Sequence, residues 1–276
     1  MTATATTIAR PPTAPTSDRG AGFLAATTAV AERTVRKFLR TPQLVVVGSI
    51  QGAMFLLIFR YVFGGAISTS GLSYVDFLVP GFVMTGVLFS GTGAAAGVAE
   101  DVEGGFLNRL RSLPVPRLSV VAGRVTADTA LVVWGLAVMT LVGFVVGFRV
   151  HTDSASALLA FGLCIVFGFA FTWMFTTIGL YAGSAQAAQG MSLLVFPLSF
   201  VSSAYVPLHS MPGWMQAFAS HQPVTVMVDA VRALTVGTTA AGLSHSTGHY
   251  VVASLLWSAV IVAVFAPIAI ARYSRG

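Results

Sequence analysis

Six stretches of this chain, 43–63, 77–98, 125–146, 157–181, 189–205 and 250–270, are long and nearly free of charged residues. A helix needs about 20 apolar residues to cross the hydrocarbon core of a bilayer. Inside that core every backbone polar group must be satisfied within the structure, which leaves helices and closed barrels as the only spanning forms. The pattern predicts an all-α polytopic membrane protein with six transmembrane helices. The fifth stretch is short and contains Pro197, which removes a backbone donor and bends a helix. Composition agrees: 9% of residues are charged, against about a quarter in soluble domains. Six spans and their connections use up the 276 residues, leaving no room for a separate nucleotide-binding or catalytic domain.

The positions of the basic residues give an orientation. With the amino terminus inside and six crossings, Arg10, Arg19, Arg33, Arg36, Lys37, Arg40, Arg109, Arg111, Arg117, Arg124, Arg272 and Arg275 face the cytoplasm; only Arg60, Arg149 and Arg232 lie outside. Positive charge favours the cytoplasmic side, so both termini are expected there, in a bacterial-type cell membrane. The formal charge of +6 then has no need of a nucleic-acid partner. Residues 1–22 are rich in Thr, Ala and Pro and lack a signal-peptide pattern, so they read as a disordered cytoplasmic tail. The single cysteine, Cys164, sits in an apolar run and reads as a packing residue.

Three other segments carry a pattern. From 23 to 40, Leu24, Thr27, Ala31, Val35, Phe38 and Leu39 recur at helical spacing, with Arg33, Arg36, Lys37 and Arg40 on other faces. That is an amphipathic helix suited to an anionic leaflet. Between the second and third spans, residues 100–114 open with Glu100, Asp101 and Glu103 and close with Arg109 and Arg111, as the helix dipole favours. Leu107, Leu110 and Leu113 form one stripe, and Pro114 ends it. This short helix suits a protein partner as well as lipid headgroups. Before the last span, residues 207–237 contain Trp214 and then Pro223, Asp229 and Arg232. Val224, Met227, Val228, Val231 and Leu234 are helically spaced, and Gly237 suits a helix stop. The segment reads as two short helices dipping into the outer leaflet, with Asp229 and Arg232 close enough to pair.

In order and spacing, Tyr74-Val-Asp76-Phe-Leu-Val-Pro80-Gly81, then Glu100-Asp101-x-Glu103-x-Gly105-Phe106-x-x-Arg109-Leu110-Arg111-Ser-Leu113-Pro114, then Pro223-Val-Thr-x-x-Val-Asp229-Ala-Val-Arg232 resemble the permease subunit of type-2 ATP-binding-cassette exporters of the daunorubicin-resistance type. The resemblance covers about residues 23–275 and implies a role for each segment. Residues 100–114, with Glu100, Asp101, Glu103, Phe106, Arg109, Leu110, Arg111, Leu113 and Pro114, would be a coupling helix seated in a separate ABC ATPase subunit. Arg33, Arg36, Lys37 and Arg40 would belong to a connecting helix, and Trp214, Pro223, Asp229 and Arg232 to an outer re-entrant gate. A second permease subunit, identical or similar, would complete the pathway. Gly104-Gly105 departs from the family pattern and would make the coupling helix start later.

The chain lacks G-x-x-x-x-G-K-[ST], the phosphate cradle of an ATPase, so ATP and Mg would sit on the partner and no catalytic residue is expected here. By resemblance, Phe82, Thr85, Phe89, Phe196 and Phe200 would line the pathway for a hydrophobic drug or lipid-like cargo, with polysaccharide a further alternative. Arg60 with Asp76, and Arg124 with Asp128, lie near span ends where local pairing or snorkelling suffices. His245 and His249 have i, i+4 spacing but lack the Glu of H-E-x-x-H, so no metal site is expected. An ion-coupled transporter and an intramembrane enzyme remain as alternatives.

Overall fold

The computed structural model describes residues 22–65, 67 and 72–275; apart from Gly22, the tail expected over 1–22 lies outside them. Regular structure among the described residues is entirely helical. Helix α1 is Phe23–Leu39, α2 Pro42–Ile58, α3 Tyr74–Glu103, α4 Phe106–Arg111, α5 Arg117–Val146 and α6 Ser154–Ala182. They are followed by α7 Ala185–Ser192, α8 Phe196–Phe200, α9 Gly213–Ala219, α10 Pro223–Thr235 and α11 Thr247–Arg275. Five segments, Val46–Phe63, Tyr74–Glu103, Arg117–Val146, Ser154–Ala182 and Thr247–Arg275, are long and apolar enough to cross a membrane.

The helix starts have identifiable causes. Ser73 accepts a hydrogen bond from the Asp76 amide at 3.2 Å and donates its own hydroxyl to the Asp76 carboxylate at 2.7 Å, a reciprocal cap that opens α3. Asp153 opens α6 by accepting from both the hydroxyl and the amide of Ser156, and these bonds hold its carboxyl below the usual carboxylate range. Gly183, at φ +76°, ends α6 in a conformation that side chains disfavour.

The fifth expected span, 189–205, is not one helix. It is α7, a 3₁₀ turn at Leu193–Val195, then α8, with Pro197 in the first turn of α8. Proline lacks the N–H that would continue the ladder and its ring crowds the preceding turn, so the expected bend is a full interruption. The segment leaves the end of α6, where Tyr181 lies against Arg272, and leads to Ser203, which donates to Asp229 of α10.

α3, α6 and α10 form the core, with Leu78, Met84, Leu88, Phe167, Phe171, Phe175, Met227 and Val228 buried together. α2 stands apart: of its described side chains only Leu56 is buried.

α1 meets the bundle through a row of residues distinct from the apolar stripe expected to face the leaflet. Its buried residues are Ala26, Val30 and Thr34, while Leu24 and Leu39 of the expected apolar stripe are exposed. The buried row lies on α5 at Gly123, where an added Cβ would meet the Thr27 backbone and the Val30 side chain. Small residues on both sides let the helices approach closely, and the leucines are left for lipid. Gly123→Leu is expected to force α1 off α5 at a cost of about 1–3 kcal/mol, read as proteolytic cleavage within 23–39 that the parent resists.

Candidate functional site

Among the described residues, the basic side chains expected on the cytoplasmic side gather at one end of the bundle; Arg10 and Arg19 lie outside the described residues. α3 ends at Glu103 and Gly105, at φ +68°, turns the chain into α4. The coupling helix expected over 100–114 is therefore divided: Glu100, Asp101 and Glu103 belong to α3, and α4 itself starts later, at Phe106. A left-handed residue cannot sit within an α-helix, so the glycine pair breaks the pattern that the charges suggested.

This division sorts the candidate residues. Asp101 is buried and receives Arg33 at 3.2 Å and Arg124 at 2.7 Å. Arg124 also reaches Asp128 at 2.7 Å and the Ala94 carbonyl at 3.4 Å, in space that Gly97 leaves by having no side chain. The Arg33 guanidinium lies 3.4 Å from the Phe106 ring centroid, a cation–π contact. Lys37 reaches Glu100 at 2.8 Å, a half-exposed pair worth about 0–1 kcal/mol. Among the described residues Arg36 pairs only with Glu32 on its own helix, and Arg40 is exposed. On α4, Leu107 is buried, Leu110 is half-buried, and Arg111 turns inward to the Tyr273 carbonyl. Glu103, Asn108, Arg109, Ser112, Leu113 and Pro114 remain exposed, and they form the outer face of this corner.

Midway along the bundle the five residues expected to line a pathway come together. Phe89 stacks on Phe196 at 4.2 Å, Phe196 meets Phe200 at 6.3 Å, and Phe200 meets Tyr205 at 5.0 Å. Tyr205 continues to Phe82 at 5.1 Å and to Phe59 at 5.2 Å. Thr85 sits beneath this strip, fully buried, with its hydroxyl donated to the Gly81 carbonyl at 3.0 Å. The strip is apolar, bordered by the Tyr205 phenol, and half open, since Phe196 and Phe200 are exposed while Phe82 is not. Phe59 and Tyr205 were not singled out in the sequence. Their only sequence signal was adjacency to span ends.

At the far end, α10 is not a surface loop. Every residue from Val224 to Thr235 is buried, and Pro223 sits in the first turn, where its missing N–H costs nothing. Arg232, 1% exposed, donates Nε to the Phe77 carbonyl at 2.9 Å and Nη2 to the Ser203 carbonyl at 2.6 Å. It pairs with Asp229 at 3.2 Å, as expected, and lies 3.7 Å from the Phe77 ring centroid. Asp229 takes a further hydrogen bond from Ser203 at 2.7 Å. Gly81 leaves room for the Ala204 backbone against α3. Trp214, on α9, is exposed; the two helices of the segment thus differ, one buried and one outward.

Asp76 is also held here, but not by Arg60. It accepts from the Arg149 amide at 3.1 Å and faces His151 at 3.0 Å. Arg60 lies in a π turn, Phe59–Phe63, that extends α2, and its Nε is buried without a partner among the described residues. His245 and His249 stack at 4.3 Å, and no third metal-ligating group joins them among the described residues.

Residues 25–236 match the family described as ABC-2 type transporter. The chain is 33% identical over 222 residues, 80% of this chain and 76% of the relative, to the daunorubicin resistance ABC transporter permease protein DrrB1 of Streptomyces coeruleorubidus. It is 30% identical over 254 residues, 90% of this chain and 88% of the relative, to the probable doxorubicin resistance ABC transporter permease protein DrrC of Mycobacterium tuberculosis. The inner membrane transport permease YadH of Escherichia coli K12 is 27% identical over 212 residues, 72% of this chain and 78% of the relative. With the match running from α1 through α10, this chain, a multi-pass membrane protein, belongs to the ABC-2 type transporter family.

Proposed function

We propose that this chain is the permease subunit of an ATP-driven exporter, moving a hydrophobic or amphipathic drug or lipid-like molecule outward. A separate ABC ATPase subunit binds ATP and Mg. The observation that carries this reading is the corner where α1, α3, α4 and α5 are locked by Arg33, Asp101 and Arg124. It leaves one outward face for a partner to push. The named activities of the relatives in daunorubicin and doxorubicin resistance support the cargo class.

The transmission path follows from α3. This helix has 30 residues, about 45 Å at 1.5 Å per residue. Its last turns carry Asp101, its middle carries Phe82, Thr85 and Phe89, and its first turn offers the Phe77 carbonyl to Arg232. A push on the corner therefore reaches the aromatic strip and the far end through one element. In this reading the corner is cytoplasmic, both termini lie inside, and the interrupted α7–α8 segment is the fifth of six crossings. The exposed faces of α2 and the open side of the strip suit a second permease subunit, with the cargo passing between the two, and lipid covers the rest.

No observation favours an ion-coupled mechanism, since Asp101 and Asp128 are both bonded to Arg124. Replacing exposed Arg109 and Leu113 together by glutamate is expected to weaken binding of the partner ATPase at least tenfold, about 1.4 kcal/mol. Co-purification measured against ATPase concentration checks this; unchanged binding contradicts the assignment of the face.

A further inference from the structure

The last carbonyls of an α-helix have no partner within the helix. In α11 two of them are taken by arginines from other elements. Arg111, the last residue of α4, donates Nε to the Tyr273 carbonyl at 2.9 Å, and its guanidinium lies 4.9 Å from the Tyr273 ring centroid. Arg117, the first residue of α5, donates to the Ser274 carbonyl at 3.0 Å. Both cations also oppose the negative end of the helix dipole. Tyr273 is 1% exposed and packs with Leu107 of α4 and Val120 and Val121 of α5. Beside it a cavity of about 20 Å³ is bordered by Leu107, Arg124 and Thr176.

The other end of α11 meets the buried outer helix. Ser254 donates to the Val226 carbonyl of α10 at 3.3 Å, less than two turns before Arg232 on the same helix. Between the two ends, Thr177 of α6 donates to the Phe265 carbonyl at 3.2 Å. α11 is thus a single helix of 29 residues joined to α4 at one end and to α10 at the other.

We infer that Arg111 and Arg117 are positioning residues that tie the coupling corner to the last transmembrane helix, making α11 a second transmission rod, parallel in role to α3, that moves α10 when the ATPase moves α4. This rests on the permease reading above and reassigns Arg111 from the partner-facing surface to an internal tie.

The test uses the full-length chain with its ATPase in lipid vesicles. A spin label is placed by Val252→Cys, at the exposed outer start of α11, in a Cys164→Ser background. In the parent, adding ATP with vanadate shifts the label's spectrum. In Arg111→Met/Arg117→Met the shift is expected to shrink at least fivefold, and transport of an amphipathic cation per ATP hydrolysed to fall about tenfold. A label response and transport ratio within twofold of the parent overturn the inference. If the double variant does not accumulate, Arg117→Met, whose side chain is exposed, is read alone: about a threefold loss supports the tie, and none overturns it. If the parent binds no ATPase, the permease reading itself fails and takes the inference with it.

Discussion

Arg232→Met is expected to destabilise the protein by about 3–5 kcal/mol, the range for removing one partner of a buried ion pair, and to end transport. The guanidinium joins α10 to the first turn of α3 through the Phe77 carbonyl and to the turn after α8 through the Ser203 carbonyl. Its loss leaves Asp229 buried with only the Ser203 hydroxyl for a partner. Much of the cost comes from that stranded carboxylate, not from the lost bonds alone. Arg232→Met/Asp229→Leu should therefore recover at least half of the stability while transport stays absent, because the charge is gone but the joint is still open. Thermal unfolding in detergent micelles separates the two: a double variant no more stable than the single one would show that the stranded charge is not the main cost.

Asp101→Leu comes second in size. It removes the acceptor shared by Arg33 and Arg124, yet Arg124 keeps Asp128 at 2.7 Å. The loss should be smaller, about 2–3 kcal/mol. Most of it falls on Arg124, which is 11% exposed, and little on Arg33, which is 40% exposed. A double-mutant cycle with Arg33→Met should return a coupling energy of about 1 kcal/mol or less. Transport per ATP hydrolysed should drop more steeply than stability does, since Asp101 is where the corner meets the long helix. Equal losses of ATPase activity and transport would mean that Asp101 serves assembly only.

The long apolar runs and the placement of arginines made the helices and their two charged ends legible in the sequence. Backbone geometry set what was not legible. Gly105 was visible as a glycine, but that its left-handed turn would hand Asp101 to α3 and Phe106 to α4 depended on the chain's path. Pro197 announced a bend, and the interruption extends further because the preceding turn tightens as well. Arg232 and Asp229 were read as a local pair on an outer segment. Their bonds to residues more than 20 positions away, and the complete burial of α10, come from tertiary contacts that no local spacing encodes. In the same way, periodicity gave the stripe of Leu24 and Leu39 to the leaflet, but that Ala26 and Gly123 let a second face of α1 meet α5 was not encoded in local spacing. Phe82, Phe89, Phe196 and Phe200, named from two separate spans, share one strip completed by Phe59 and Tyr205, a contact that depends on how those spans pack.

The most direct test reconstitutes the chain with its ATPase in inside-out lipid vesicles and follows accumulation of a fluorescent amphipathic anthracycline. Accumulation that requires ATP and the ATPase, persists when ion gradients are collapsed, and is lost with the Arg109→Glu/Leu113→Glu face variant is the predicted result. Accumulation driven by an ion gradient without any ATPase would contradict it.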